Sequence, residues 1–351
     1  MDRKTLRVGI AAILCAGVFR LFSPGVPRAV GNFLTRPDVT AFLLYLETGR
    51  DVRFSASRGE KVFYVDLGNP GLAYPEESPP PSLPPPVFTE ADCPELYYAC
   101  SLRPDVGALL QKPLRWDLAS GAPTVLILHT HTTESYTRGS LPYEETAAYR
   151  TLDERYNMLS LGDRVAEILN AAGVVTLHDR SFHDYPSYTG SYGRSRDTAL
   201  QYIKEYPSLL LILDLHRDAV DMGWGQLRTL CSVNGQEAAQ LMLVMGTDEG
   251  GLTHPHWEEN LSIALKLHAQ LERQCPGIMR PLCLRRQRFN QDLAPGALLI
   301  EIGAAGNSHA EALPAAEQLA LAIAALARGA NATENAAAPE TGNLPAPEAG
   351  P

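Results

Sequence analysis

Three apolar runs in the sequence each end in side chains able to hold an ion or move a proton. The first starts at Val125 and leads into His129-Thr-His131-Thr-Thr-Glu134. The second starts at Leu209 and ends in Asp214-Leu-His216-Arg217-Asp218. The third starts at Ala297 and carries Glu301 near its end. His131 and Glu134 form an H-x-x-E pair, and both reach one ion if the chain turns helically between them. With His216 added, two histidines and a carboxylate leave a fourth position to water, the make-up of a catalytic rather than a structural zinc site. Zn2+ there lowers the pKa of bound water towards 7 and polarises a carbonyl. A further carboxylate is then needed to pass the water's proton to a leaving amine. Glu301 is the candidate, because a lone glutamate in an apolar strand is costly unless it faces an ion or a partner. A ligating ring must be fixed by a neighbour, a task open to His129 and Asp214. Glu144, Glu145 and Glu154 rival Glu134 as the carboxylate ligand.

Each piece also has a plainer reading: a polar turn, a satisfied core histidine, a glutamate paired to an arginine. The agreement of three strand ends favours the site. Its frame is legible in the spacing. Short apolar runs at 124–130, 174–178, 209–216 and 297–303 predict buried strands. "LRTLCSV" and "LMLVMG" predict two more. Met158, Leu161, Val165, Ile168 and Leu169 recur at helical spacing, with Gly173 placed just past the end. Helices are also expected over 195–207, 258–274 and 315–329. The alternation predicts an α/β fold with a largely parallel central sheet and helices on both faces. In such sheets ligands sit beyond the carboxyl ends of the strands.

Around this core lie segments of other kinds. The formal charge of −10 and the lack of a Lys/Arg cluster exclude nucleic acid as a partner; "LRRQR" at 284–288 reads as a strand face. Residues 1–24 combine Arg3, Lys4 and Arg7 with an apolar run from Val8 to Phe19 and no small-residue cleavage site. They read as an uncleaved single-pass membrane anchor, with the remainder outside the cytoplasm. Residues 25–118 form an N-terminal region holding a proline-rich spacer, 119–329 the catalytic domain and 330–351 a disordered tail with one large apolar residue, Leu344. Six cysteines include no C-x-x-C pair, which argues against a cysteine zinc site; Cys93 and Cys100 are near enough to bridge. No G-x-S-x-G elbow, Walker loop or G-x-G-x-x-G is present.

"ILHTHTTESY", "HDYPSYTGSYGRSRDTA", "LDLHRDA" and "FNQDLAPGALLIEIGAAGNSHAEA" closely resemble, in the same order, segments of the stage II sporulation protein P family. The resemblance implies a zinc-dependent N-acetylmuramoyl-L-alanine amidase with a phosphorylase/hydrolase-like α/β fold. It implies cleavage of peptidoglycan between the glycan's lactyl group and the stem peptide during spore engulfment, with cross-link endopeptidase activity as well. A partner is implied too, a lytic transglycosylase of the stage II sporulation protein D type. It places the metal on His131 and His216 and catalysis on Glu301. Since related amidases take the middle ligand from their first helix, Glu154 stands beside Glu134. Tyr188, Tyr192, Arg194 and Arg196 would line the substrate groove, the rings against sugar and the arginines against stem-peptide carboxylates. Two other readings fit the same residues. One is a non-catalytic wall-binding scaffold. The other is a zinc carboxypeptidase, with Arg217 holding the terminal carboxylate.

Overall fold

A computed structural model describes the strands at 52–57 and 60–65 and residues 86–336 apart from Arg115 and Trp224, with side chains to Ala327. The expected anchor at 1–24, the spacer up to Pro85 and the chain after Ala336 lie outside the described residues. The chain divides into two compact units, Met1–Ser78 and Pro79–Pro351. In the first, β1 (Val52–Ser57) and β2 (Glu60–Val65) pair antiparallel, Val52 opposite Val65.

The second unit is built on one seven-stranded sheet. In chain order it contains β3 (Leu96–Ala99), α1 (Val106–Gln111), β4 (Val125–Leu128), α2 (Met158–Ala171) and β5 (Thr176–His178). Then come α3 (Ser191–Glu205), β6 (Leu211–Asp218), the hairpin β7 (Leu230–Val233) and β8 (Gln236–Ala239), and β9 (Leu241–Gly246). α4 (Trp257–Gln274), β10 (Leu282–Arg285), β11 (Ala297–Ala304) and α5 (His309–Ala336) complete it. The strand order is β3-β10-β9-β11-β6-β4-β5. Every neighbouring pair is parallel except β9 with β11. A hairpin rather than a helix lies between β6 and β9, so no crossover returns β9 to the common direction.

The central strands open on apolar runs because both faces are covered. Val125, Ile127, Leu211, Leu213 and Leu215 pack with Met158, Leu161 and Val165 of α2, Leu261 and Leu265 of α4, and Leu319 of α5. On the opposite face Leu126, Leu128 and Ile212 meet Ala199 of α3. The covering is uneven, with most of the helical mass on the first face. α5 is long and apolar enough to cross a membrane, yet 56% of its apolar window is buried inside the fold. Ala312, Ala316 and Leu319 pack in the main core, so α5 serves as a core helix here.

Two expected boundaries differ from the structure. β3 is an edge strand of this sheet and α1 packs on α4, so the folded unit takes in residues ahead of 119. α5 runs to Ala336, past the start set for the tail at 330, consistent with the helix propensity of its three alanines at 330, 332 and 336. Cys93 and Cys100 are free thiols.

α1 is pinned to α4 by a buried lysine. Lys266 is 3% exposed, and its Nζ donates to the Leu109 carbonyl at 3.1 Å and to Ser262 Oγ at 2.9 Å. Burial first, and Lys112 second, hold its pKa down to about 8 against an ordinary 10.5. The unfolded chain keeps this proton to higher pH, so stability rises as pH climbs from about 8 to 10.5. Relative to Lys266→Met, the wild type should gain up to about 3 kcal/mol across that window. Urea titrations at both pH values check this; a gap that does not change with pH would show that the amine is not desolvated.

Candidate active site

Strand register gathers the polar ends. Leu128 of β4 lies opposite Asp214 of β6, and Glu301 of β11 opposite His216. Asp214 and His216 are two residues apart, so both share with Glu301 the face that α3 covers. Past β4 the chain closes a turn, the Glu134 amide donating to the His131 carbonyl at 3.1 Å. That turn sets His131 and Glu134 on one side, as the H-x-x-E spacing requires. Asp214 fastens the turn to the sheet: its oxygens accept from the Thr130 amide at 2.8 Å and the Thr130 hydroxyl at 2.6 Å. Burial would raise the Asp214 carboxyl, but His216 and Thr130 outweigh it and hold the pKa low.

His216 is 3% exposed and wedged between two carboxylates. Its Nδ1 lies 3.4 Å from Glu134 Oε2 and its Nε2 2.9 Å from Asp214 Oδ1. The second contact is electrostatic, because the Nε2 hydrogen does not point along it and the atom has no hydrogen-bond partner. Burial favours a neutral ring, but Asp214 and then Glu134 win and raise its pKa well above the ordinary value. Glu134 takes Arg150 Nη2 at 3.2 Å on Oε1 and the Arg217 amide at 3.3 Å on Oε2. Burial opposes its charge, yet Arg217, His216 and His131 together hold the carboxyl far below the usual range.

His131 packs its ring edge-on to His216, centroids 5.3 Å apart, and stacks on Tyr188 at 4.5 Å. Burial lowers its pKa to about 4. Its Nδ1 is 3.3 Å from Ser191 Oγ, whose hydroxyl donates to the Tyr188 carbonyl at 2.9 Å. With the serine proton on that shorter contact, Nδ1 donates and Nε2 keeps a free lone pair. Glu301 has one oxygen, Oε2, buried without a partner. Burial above all, with Glu134 and Asp218 adding, pushes its pKa up to about 8.

The donor set fits a divalent ion in kind and in part in spacing. Glu134 Oε2 and His216 Nδ1, 3.4 Å apart, have about the separation of two donors each about 2.1 Å from one tetrahedral zinc. The free Nε2 of His131 and the unpartnered Oε2 of Glu301 face no competing protein group. Among the described residues no three His, Cys, Asp or Glu side chains converge into a finished cage, since Arg150 and Arg217 draw Glu134 and Asp214 draws His216. Of the rival carboxylates, Glu144 and Glu145 are exposed, and Glu154 is exposed and pairs with Arg180. None of the three is brought to the histidines.

Residues 88–324 match the family model described as Stage II sporulation protein P (SpoIIP). The chain belongs to this family. The Stage II sporulation protein P of Bacillus subtilis (strain 168) is 26% identical over 283 residues, covering 78% of this chain and 67% of that protein. Two solved structures are similar at low scores. N-acetylmuramoyl-L-alanine amidase AmiC2 of Nostoc punctiforme has 16% identity and a TM-score of 0.32 over 62% of this chain and 98% of its own. The N-acetylmuramoyl-L-alanine amidase from Clostridium difficile 630 has 15% and 0.34 over 62% and 100%.

In this member of the family several side chains do other work than their residue types suggested. His129 sits behind the site: its Nδ1 faces the Leu215 carbonyl at 3.1 Å and its Nε2 meets His178 Nε2 at 2.8 Å. The pair presses on α2 so closely that a Cβ at Gly162 would stand 2.4 Å from His178 and 2.7 Å from His129, which explains a glycine inside a helix. His129 therefore braces the strand and not the His131 ring. Arg194 is tied to the carbonyls of His183 at 2.6 Å and Thr189 at 3.2 Å, and to that of Ser187. Arg196 grips Asp292 through two 2.8 Å contacts. Neither is free for a stem peptide. Arg217 is 5% exposed, with Nε on the Ser135 carbonyl at 2.9 Å and Nη2 on that of Tyr149 at 3.0 Å. It cannot receive a terminal carboxylate, which removes the group a carboxypeptidase would need. Tyr188, 59% exposed, does open to solvent from its stack on His131. Tyr192 meets His131 edge-on at 5.6 Å. Burial, then Asp214, Glu301 and Glu134, raise its phenol pKa, so it remains a donor.

The sequence reading missed Arg150 and Asp184. Arg150 bridges Glu134 and Asp184 beneath the Tyr188 ring, 5.0 Å from its centroid. The Asp184 side chain is fully buried and also takes the Thr133 hydroxyl at 2.6 Å. Both lie in irregular chain, where no periodicity marks a partner. Removing one member of a buried pair strands the other's charge. Arg150→Met should cost about 3 kcal/mol by denaturant titration, and adding Asp184→Asn should recover part of that loss. A strictly additive double variant would sink the coupling.

Proposed function

We propose that this chain is a peptidoglycan hydrolase that cleaves the N-acetylmuramoyl-L-alanine amide by zinc-activated water during spore engulfment. The observation that carries the reading is the gathering of His131, Glu134 and His216 at neighbouring strand ends, with the unpartnered Glu301 oxygen beside them. Membership of the family supplies the setting. Residues 1–24 would hold the domain at the membrane on the extracytoplasmic side, where a lytic transglycosylase of the stage II sporulation protein D type would act on the same wall.

Zinc held by His131, Glu134 and His216 would supply Lewis acidity and a water acidic enough to attack an amide near neutral pH. The chain's own residues then position and shuttle protons. His131 offers Nε2 because Ser191 fixes its tautomer. Arg150 and Arg217 fix the rotamer of Glu134. Glu301 accepts the proton of the attacking water and returns it to the leaving nitrogen, since burial makes it a stronger base than a solvated carboxylate. The Tyr188 ring offers an apolar face beside the reacting bond, and the Tyr192 phenol a hydrogen-bond donor.

Glu301→Gln should lower the rate of stem-peptide release from purified sacculi by at least about 100-fold while sacculus binding persists. Undiminished release would end the role given to Glu301. Prolonged dialysis against a chelator should abolish release, and added zinc should restore it. Full activity in metal-free protein would overturn the zinc reading. A wild type that binds the wall and releases nothing would instead establish the scaffold alternative. Product mass decides the bond, a whole stem peptide against a single residue.

A further inference from the structure

Beside the candidate active site lies a recess of about 460 Å³ that shares Tyr192 with it. The Tyr192 ring meets His131 on one side and Phe289 on the other, centroids 5.6 and 5.9 Å apart. Arg286, Arg288, Phe289 and Leu252 complete the walls that matter here. The segment expected to be a strand face is strand only to Arg285; Arg286 to Phe289 is loop.

That loop is held rigidly. It lies so close to β9 that a Cβ at Gly246 would stand 2.4 Å from the Gln287 carbonyl oxygen and 2.7 Å from Arg288 Cα. Just beyond the loop, the Gln291 side chain accepts from the Gly246 amide at 2.7 Å and donates to the Val244 carbonyl at 2.8 Å. Phe289 is held at φ 54°, a left-handed conformation unusual for a bulky residue. Such conformations persist where surrounding structure enforces them, often at binding sites.

The recess is cationic within an acidic chain of net charge −10. Asp292 is shared between Arg196, at 2.8 Å, and Arg288, at 3.2 Å, and the Arg288 Nη1 also donates to the Thr253 carbonyl. One carboxylate thus serves two guanidiniums. Arg286 is exposed, and its guanidinium has no hydrogen bond or ion pair among the described residues. Glu249 on the adjoining loop feels the Arg286 charge, but its hydrogen bonds go to the Ser101 amide at 3.0 Å and the Ser101 hydroxyl, so it leaves the guanidinium's donors open.

We infer that this recess is a subsite for a carboxylate of the substrate's peptide, gripped by Arg286 while the adjoining aliphatic part lies between Phe289 and Tyr192. A planar guanidinium matches a carboxylate in a two-point contact that an amide does not reproduce. The shared Tyr192 wall makes the recess continuous with the reacting bond, so one stem peptide spans both. This inference deepens the hydrolase reading and rests on it for the identity of the ligand.

The test uses stem peptides without the sugar, which cannot be turned over at the muramoyl amide, titrated calorimetrically against the full chain. The free-acid peptide should bind the wild type about tenfold more tightly than the same peptide with its carboxylates amidated. Arg286→Gln should bring the two to near parity, and Arg286→Lys should restore only part of the preference. Equal affinities in the wild type, no binding of either peptide, or a preference that survives Arg286→Gln would each overturn the inference. Sacculus digestion is scored in parallel. Hydrolysis without discrimination removes the subsite alone, whereas discrimination without hydrolysis removes the hydrolase reading alone.

Discussion

A buried carboxylate on the middle of the sheet, Asp214, fixes the geometry on which everything around it depends. It takes the Thr130 amide and hydroxyl from the chain leaving β4 and faces His216 on its own strand. An ionised carboxylate inside a fold is tolerated only when donors satisfy its oxygens. Satisfying them here dictates where the first polar run leaves the sheet, hence where His131 and Glu134 arrive. The turn that follows is fastened again one step out, through Thr133 to Asp184 and from Asp184 to Arg150. Arg150 then returns to Glu134. The side chains of the candidate site are thus closed into a ring of charge-assisted contacts, stronger and more directional than neutral hydrogen bonds.

The uneven covering of the sheet gives this ring its outlet. α2, α4 and α5 bury one face completely, and the stability of the fold is concentrated there. The other face has α3 and the loops after β5 and β10. Chemistry-bearing residues of β6 and β11 alternate onto that lightly covered face, so they are buried enough to perturb protonation and near enough to solvent to meet a polymer. Tyr188 stacks on His131, and Phe289 of the Arg286 loop packs on Tyr192, so both border this face.

Much of this was legible in the residue pattern, and the exceptions have physical reasons. β4, β6 and β11 are covered on both faces, so their apolar runs stand out; α2 and α4 carry clear helical spacing. β3 has four residues, only partly buried, and β8 reads Gln-Glu-Ala-Ala, so neither carries a strand signature. His131, Glu134, His216 and Glu301 stood out as candidates because each lies late in, or just past, an apolar strand run. Arg194, Arg196 and Arg217 were misassigned for a common reason. An arginine beside a site looks like a ligand-binding group in sequence, whereas its actual partners are backbone carbonyls and distant carboxylates that only the tertiary structure brings near. Arg286 errs the other way, since its loop position and open guanidinium appear only once β10 is seen to end at Arg285.

Charge balance links the protonation states to the ion proposed above. Glu134 and Asp184 are offset by Arg150 and Arg217. Asp214 is offset by a proton on His216, whose pKa is raised by Asp214 and Glu134 against its burial. Glu301, pushed up to about 8, is largely neutral at pH 7. The cluster therefore holds two protons that the same groups in water would largely lack. Exchanging both for one divalent cation would leave the net charge unchanged, free one ring nitrogen of His216 for ligation while the other keeps its N–H, and ionise Glu301 as a base. A site balanced in this way would stay folded with protons alone and would gain its hydrolytic competence with the proposed ion, because the protons that balance the cluster are those that the ion would replace.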